Sequence, residues 1–230
     1  MATDQQFTEL AELAGGFIHE VKNHISTLGL NLQLLADDFA EPQNPRERRA
    51  LDRIHRLQSE CERLVTVSND FLRFARAQKL RLEPTRLNDQ VSEMVDFLLP
   101  TAKQKGITIT WYPDGSLPEI PLDGDLFKQA LLNLLLNAEQ AMPDGGEIVL
   151  QTSQEPDWVR LDVIDTGCGI PSDELPLLFK PFHTTKPGGT GLGLPTTRKI
   201  IEAHGGSIDA QSEVGHGTKF AIRLPVRSAQ

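Results

Sequence analysis

Asp165-Thr166-Gly167-Cys168-Gly169-Ile170 follows directly on an apolar alternating run at residues 159–165. The run reads as a strand, which delivers Asp165 at its tip. The glycines carry no Cβ, so the backbone there can approach a ligand closely. An ionised carboxylate only accepts hydrogen bonds, which suits an exocyclic amine such as that of adenine. Further on, Gly188-Gly189-Thr190-Gly191-Leu192-Gly193-Leu194 runs into a helix expected over 191–204. Backbone N–H groups at a helix start form an anion site, so phosphates suit this loop. A third segment, Gly215-His216-Gly217-Thr218, precedes the last strand. Any one of the three also reads as a plain turn. The chain has no GxxxxGK[ST], so it is not a P-loop protein. The second loop follows Thr184-Thr185-Lys186-Pro187 rather than a strand, which argues against a Rossmann unit.

Upstream, Asn133-Leu134-Leu135-Leu136-Asn137-Ala138 lies on a helix expected over 123–142 and capped by Asp123. Asn133 and Asn137 are four residues apart and share one face. Two amides in a leucine run need polar partners, either backbone groups in a core or a ligand such as Mg²⁺ with phosphate. The glycine loops favour the ligand. Around these segments the pattern predicts a helix over 88–105 with Asn88 as N-cap. Strands are expected at 107–111, 147–152, 159–165, 207–211 and 218–224. One helical layer over a mostly antiparallel sheet makes this an α+β domain.

The first 80 residues read differently. Apolar or small residues recur at Ala11, Ala14, Ile18, Val21, Ile25, Leu28, Leu32, Leu35 and Phe39, a heptad seam. Glu41-Pro42-Gln43-Asn44-Pro45 breaks it with turn residues. The seam resumes at Ala50, Ile54, Leu57, Cys61, Leu64, Ser68, Phe71 and Ala75. Two long helices in a hairpin bury too little alone, which favours dimerisation into a four-helix bundle over a monomeric hairpin packed on the second domain. The expected domains are 1–80 and 81–230. The chain of 230 residues has 23 basic against 32 acidic side chains, net charge −9. That argues against a nucleic-acid binder and a polybasic membrane anchor. No apolar run is long enough to span a membrane, and no secretory signal is expected at the start. Cys61 and Cys168 form no CxxC, so a disulfide framework or zinc site is not expected, and a reducing cytoplasm fits.

In this order and spacing, the segments resemble the bacterial sensor histidine kinases of two-component systems. Residues 133–138 resemble their N box, and 165–170 the first glycine box. Leu178-Phe179-Lys180-Pro181-Phe182 resembles the F box, 189–194 the second glycine box, and 215–218 the later glycine motif. The resemblance implies a Bergerat-type ATP-binding domain, an α/β sandwich shared with gyrase- and MutL-class ATPases. It implies that Asp165 binds the adenine amino group while Gly167 and Gly169 let the backbone pass the base. Asn137 would hold Mg²⁺, with Asn133 near the phosphates. Lys186 would reach the phosphates from a lid at about 183–189. Gly189, Gly191 and Gly193 would cradle phosphate, and Thr218 would sit under the base. In ATP-hydrolysing relatives a glutamate that activates water stands at the position of Asn133. An amide is a poor base, so the sequence points to transfer onto another nucleophile.

Phe17-Ile18-His19-Glu20-Val21-Lys22-Asn23 resembles the family's H box. With Ile18 and Val21 in the seam, His19 falls on the outward side of the helix, with Asn23 one turn later. The resemblance implies that His19 accepts the γ-phosphoryl group of ATP, with Glu20 orienting the ring and taking its proton. Asn23 would position water for dephosphorylating a partner. One subfamily has Pro after this Asn; here it is His24, so the helix should run straighter. The implied partners are a second copy of the chain, a response-regulator receiver domain, and a sensor module in cis or in trans. His19, Asn23, Ser26 and Leu30 form one outward stripe, and apolar Leu30 is expected in the regulator's docking surface. The competing reading is a Bergerat-fold ATPase or serine-kinase relative that uses the hairpin only for assembly.

Overall fold

Asn44-Pro45-Arg46-Glu47 opens the second of two long helices, α1 (Ala2–Asp38) and α2 (Pro45–Ala75). Asn44 Oδ1 accepts from the N–H groups of Arg46 and Glu47, both at 3.0 Å. Glu47 reaches back to the Gln43 N–H at 2.6 Å and to the Asn44 amide at 2.7 Å. This is a variant of the capping box, in which Glu47 takes the N–H one residue before the cap, with Pro at the first helical position, in a stretch the sequence marked only as a break. The computed structural model describes residues 2–75, 80–186 and 189–227, with side chains from residue 18 onward except His19 and Ala75. Its contacts divide into two units. One is Met1–Gln78 with Thr184–Leu192; the other is Lys79–His183 with Gly193–Gln230.

In the first unit the heptad seam closes only in part. Ile25, Ala36 and Ile54 are buried, and Gln58 bonds Gln33 across the hairpin at 2.9 Å. Leu28, Leu35, Leu57 and Leu64, all seam positions, remain at least 43% exposed. No helix among the described residues is long and apolar enough to cross a membrane.

The second unit contains α3 (Leu87–Gln104), α4 (Gly124–Gln140) and α5 (Gly193–Ala203). A five-stranded sheet runs in the order β2 (Ile107–Tyr112), β4 (Gly146–Gln154), β5 (Trp158–Asp165), β7 (Gly217–Pro225), β6 (Ser207–Glu213). β2 and β4 are parallel; the other three pairings are antiparallel. Alternate strand residues such as Leu150, Leu161 and Ile222 share one core with Phe127, Leu131 and Ile201 of the helices. Fully burying each such side chain contributes about 1.5–3 kcal/mol.

Two features depart from the sequence expectation. β1 (Glu83–Thr85) and β3 (Ile120–Leu122) pair antiparallel beside the main sheet. Three-residue strands carrying Pro84 and Pro121 show no alternation long enough to read. Asn88 is not the cap of α3. Arg86 is, without a side-chain bond. Asn88 instead donates to the Asp114 carbonyl at 2.8 Å and accepts from the Thr152 hydroxyl at 2.9 Å. Tertiary partners thus took the side chain that local capping would have used.

Asp123 caps α4 as expected, accepting from the Leu126 N–H at 3.1 Å. Its other oxygen accepts from the Arg81 N–H at 2.9 Å. Its own N–H donates to His204 Nε2 at 3.0 Å, and buried His204 bonds the Ile200 carbonyl through Nδ1 at 2.8 Å. These two partners assign the neutral Nδ1–H tautomer. His204→Leu strands both partners and should lower stability by about 1–3 kcal/mol. A urea midpoint equal to the parent's would refute that role.

Candidate functional site

β5 ends on Asp165, and the β5–β7 register sets it opposite Thr218. Both are 5% exposed. Asp165 Oδ1 accepts from the Gly167 N–H at 2.9 Å and the Thr218 N–H at 3.2 Å, which fixes the carboxylate. Ser212 of β6 completes the cluster. Its oxygen accepts from the Ile170 N–H at 2.8 Å, it donates to the Gly217 carbonyl at 2.7 Å, and it lies 2.9 Å from the Thr218 hydroxyl. The sequence reading missed Ser212; its one signal was the inward alternation of β6 with Ile208 and Ala210.

The glycines of this box are required by packing. At Gly169 φ is +71°, and a Cβ would overlap the Glu213 carbonyl. At Gly167 a Cβ would stand 2.7 Å from Ala141 Cβ and 2.9 Å from Asp165 Oδ1. The Cys168 N–H donates to the Ala141 carbonyl at 3.0 Å, so the box wraps the end of α4.

Asn133 and Asn137 are half-buried on one face of α4. The Asn133 amide donates to the Gly193 carbonyl at 3.3 Å and lies 3.5 Å from the Thr197 hydroxyl. It thereby joins α4 to the start of α5. That helix begins at Gly193 rather than at 191. A Cβ on Gly193 would lie 4.0 Å from Asn133 Cγ, an ordinary contact, so space at this point does not demand glycine. Behind the F box, the Arg198 guanidinium sits 3.8 Å from the centroid of the Phe179 ring, a cation–π contact. His183 and Glu174 pair at 2.6 Å. None of Arg198, Glu174 or their pairings was foreseen.

Lys186, Gly189 and Gly191 fall in the segment that groups with the hairpin. Lys186 is exposed, and its N–H bonds the Thr184 hydroxyl at 3.2 Å. The Gly189 N–H donates to the Lys186 carbonyl at 3.1 Å, and Gly191 has φ +67°. Gly188 lies outside the described residues. In α1, Glu20, Asn23, His24, Ser26 and Leu30 are exposed, while Ile18 and Val21 are half-buried. His19 lies within α1, and its side chain is outside those described.

These residues fit a nucleotide with its metal. A buried carboxylate is rigidly held for an amine, a helix N-terminus offers amides to anions, and a half-buried amide supplies a hard oxygen. No group of three or more His, Cys, Asp or Glu among the described residues suits a metal. Mg²⁺ does not need one, because it keeps waters and binds through few protein oxygens plus phosphates.

Residues 122–228 match the family of histidine kinase-, DNA gyrase B-, and HSP90-like ATPases. The chain is 34% identical over 226 residues to the sensor histidine kinase ZraS of Escherichia coli (strain K12), covering 98% of this chain and 48% of ZraS. It is 34% identical over 223 residues to sporulation kinase E of Bacillus subtilis (strain 168), covering 95% and 29%. The chain thus spans about half the length, or less, of these curated relatives. The crystal structure of full-length ShkA in complex with AMPPNP superposes with a TM-score of 0.74 at 28% identity, covering 95% of this chain and 46% of that one. The catalytic domain of histidine kinase ThkA gives 0.60 at 31% identity, covering 64% and 97%. The fold, the box order and these relatives agree: the chain belongs to the sensor histidine kinases of two-component systems, as their catalytic region.

Proposed function

We propose that this chain is an ATP-dependent protein-histidine kinase that phosphorylates its own His19. It then passes the phosphoryl group to an aspartate of a response-regulator receiver domain, and also dephosphorylates that regulator. The observation that carries the transferase reading is Asn133. Its amide is a hydrogen-bond donor between α4 and α5, and an amide cannot take a proton from water. Residues 1–80 are then the dimerisation and phosphotransfer hairpin, and 81–230 the ATP-binding domain.

The roles follow from the chemistry of each group. Asp165 accepts from the adenine amine, with Gly167, Gly169 and Thr218 forming the walls against the base. Gly189, Gly191 and Gly193 offer amides to the phosphates, Lys186 adds a positive charge, and Asn133 and Asn137 face the triphosphate. The Asn137 amide oxygen would hold Mg²⁺, which when bound would supply charge neutralisation at the transferring group. The lone pair on His19 Nε2 forms the P–N bond as the bond to ADP's bridging oxygen breaks, and Glu20 takes the Nδ1 proton. In transfer, the regulator's carboxylate displaces the ring, and the imidazole regains its proton. Asn23 positions water for hydrolysis of the regulator's acyl phosphate.

The same reading makes the chain a homodimer. Leu28, Leu35, Leu57 and Leu64 occupy seam positions yet stay exposed, and a second hairpin covers such a seam as a four-helix bundle. A cytoplasmic location in a bacterium, with a sensor module in cis or in trans, completes it. Leu30 is 62% exposed on the stripe of Asn23 and Ser26, beside which the receiver domain docks. Leu30→Asp should leave autophosphorylation near parental and slow transfer to the cognate regulator by about tenfold, the scale of one lost apolar anchor. Equal transfer rates would show an ordinary surface residue.

Incubation with γ-labelled ATP and Mg²⁺ tests the function. The expected product is labelled protein whose label is lost in acid and stable in base. Inorganic phosphate release with unlabelled protein would instead identify an ATPase.

A further inference from the structure

Thr190 stands in the middle of the second glycine box, and its hydroxyl donates to Asp70 Oδ2 of α2 at 2.9 Å. The Thr190 hydroxyl oxygen in turn accepts from the Leu192 N–H at 3.4 Å. Leu192 is fully buried, and Thr190 and Asp70 are half-buried. All three lie in one compact unit, in which Thr184–Leu192 groups with Met1–Gln78. Asp70 is five residues before the end of α2.

Two physical consequences follow. The Leu192 N–H, in a run of amides suited to phosphate, is already engaged by a side chain. A carboxylate also stands one hydroxyl away from those amides, and its negative charge opposes that of a triphosphate. We propose that the Asp70–Thr190 hydrogen bond is an autoinhibitory latch. It holds the glycine-rich loop on the end of α2, and the phosphates of ATP must displace it. The inference rests on the nucleotide-binding role of that loop and adds the hairpin's own control over it. Linkage makes the effect reciprocal: ATP loosens the loop from α2, and any displacement of the end of α2 that breaks the latch tightens ATP binding by the same factor.

The test uses the full chain, with a fluorescent ATP analogue and Mg²⁺ to read affinity and γ-labelled ATP to read the initial rate of autophosphorylation. Asp70→Ala should tighten nucleotide binding about fivefold, the lower end of typical coupling, and raise the rate at subsaturating ATP. Asp70→Asn preserves size and helix, removes the charge, and should shift affinity in the same direction by less. Thr190→Val combined with Asp70→Ala should tighten binding by less than the product of the two single effects, because both variants break the same Asp70–Thr190 bond. Unchanged or weaker affinity in both Asp70 variants, with parental circular dichroism, overturns the latch. A parent chain that binds no ATP would instead overturn the nucleotide reading beneath it.

Discussion

His19→Gln is expected to abolish autophosphorylation, by more than about 10³-fold, as loss of a covalent nucleophile does. Imidazole is a nucleophile at neutral pH because its pKa lies near ~6.5. The glutamine amide nitrogen has its lone pair delocalised into the carbonyl and cannot attack phosphorus. Glutamine also has good helix propensity, so α1 should persist. The groups assigned to the base, Asp165 on β5, Thr218 on β7 and Gly167 between them, belong to a different unit from α1. Nucleotide affinity should therefore remain parental by calorimetry while acid-labile label disappears. Acid-labile label retained on the variant would mean that another residue is the acceptor.

Asp165→Asn is expected to weaken Mg-ATP binding by about 100-fold and to suppress labelling with it. The carboxylate is 5% exposed and holds two backbone N–H groups on Oδ1. Asparagine can keep those two bonds with its carbonyl oxygen. Its other terminus is then an NH₂ group, which faces the adenine amine donor to donor. The lost charged hydrogen bond accounts for about 1.5–3 kcal/mol, and 2.7 kcal/mol corresponds to about 100-fold. Affinity measured by calorimetry is the deciding quantity, because labelling alone confuses binding with chemistry. Unchanged affinity would show that the base sits elsewhere.

Much of this site is written in local patterns. An apolar alternating run ending in Asp165, an i and i+4 pair of asparagines, and Asp123 before a leucine-rich stretch each depend on neighbours a few residues away. Those features appear in the structure where expected. Ser212 was not legible, because its role depends on β6 and β7 pairing so that it meets Ile170 and Thr218 at once. The stack of Arg198 on Phe179 joins residues 19 positions apart through the packing of α5. Asn88 shows the converse: its local pattern announced a cap, and long-range partners claimed the amide instead.

The amino-acid sequence by itself determined the two helical runs, the order of the nucleotide boxes and the choice of amide over glutamate at Asn133. Periodicity and residue chemistry are local properties, carried by every copy of the chain before it folds. Tertiary structure alone decided which seam leucines the hairpin leaves exposed, that Asp165 Oδ1 meets the Thr218 N–H, and that Thr190 meets Asp70 across 120 residues. Such contacts form only after chain segments distant in sequence have lost the entropy of moving apart, and no pattern of neighbours encodes which of them will meet.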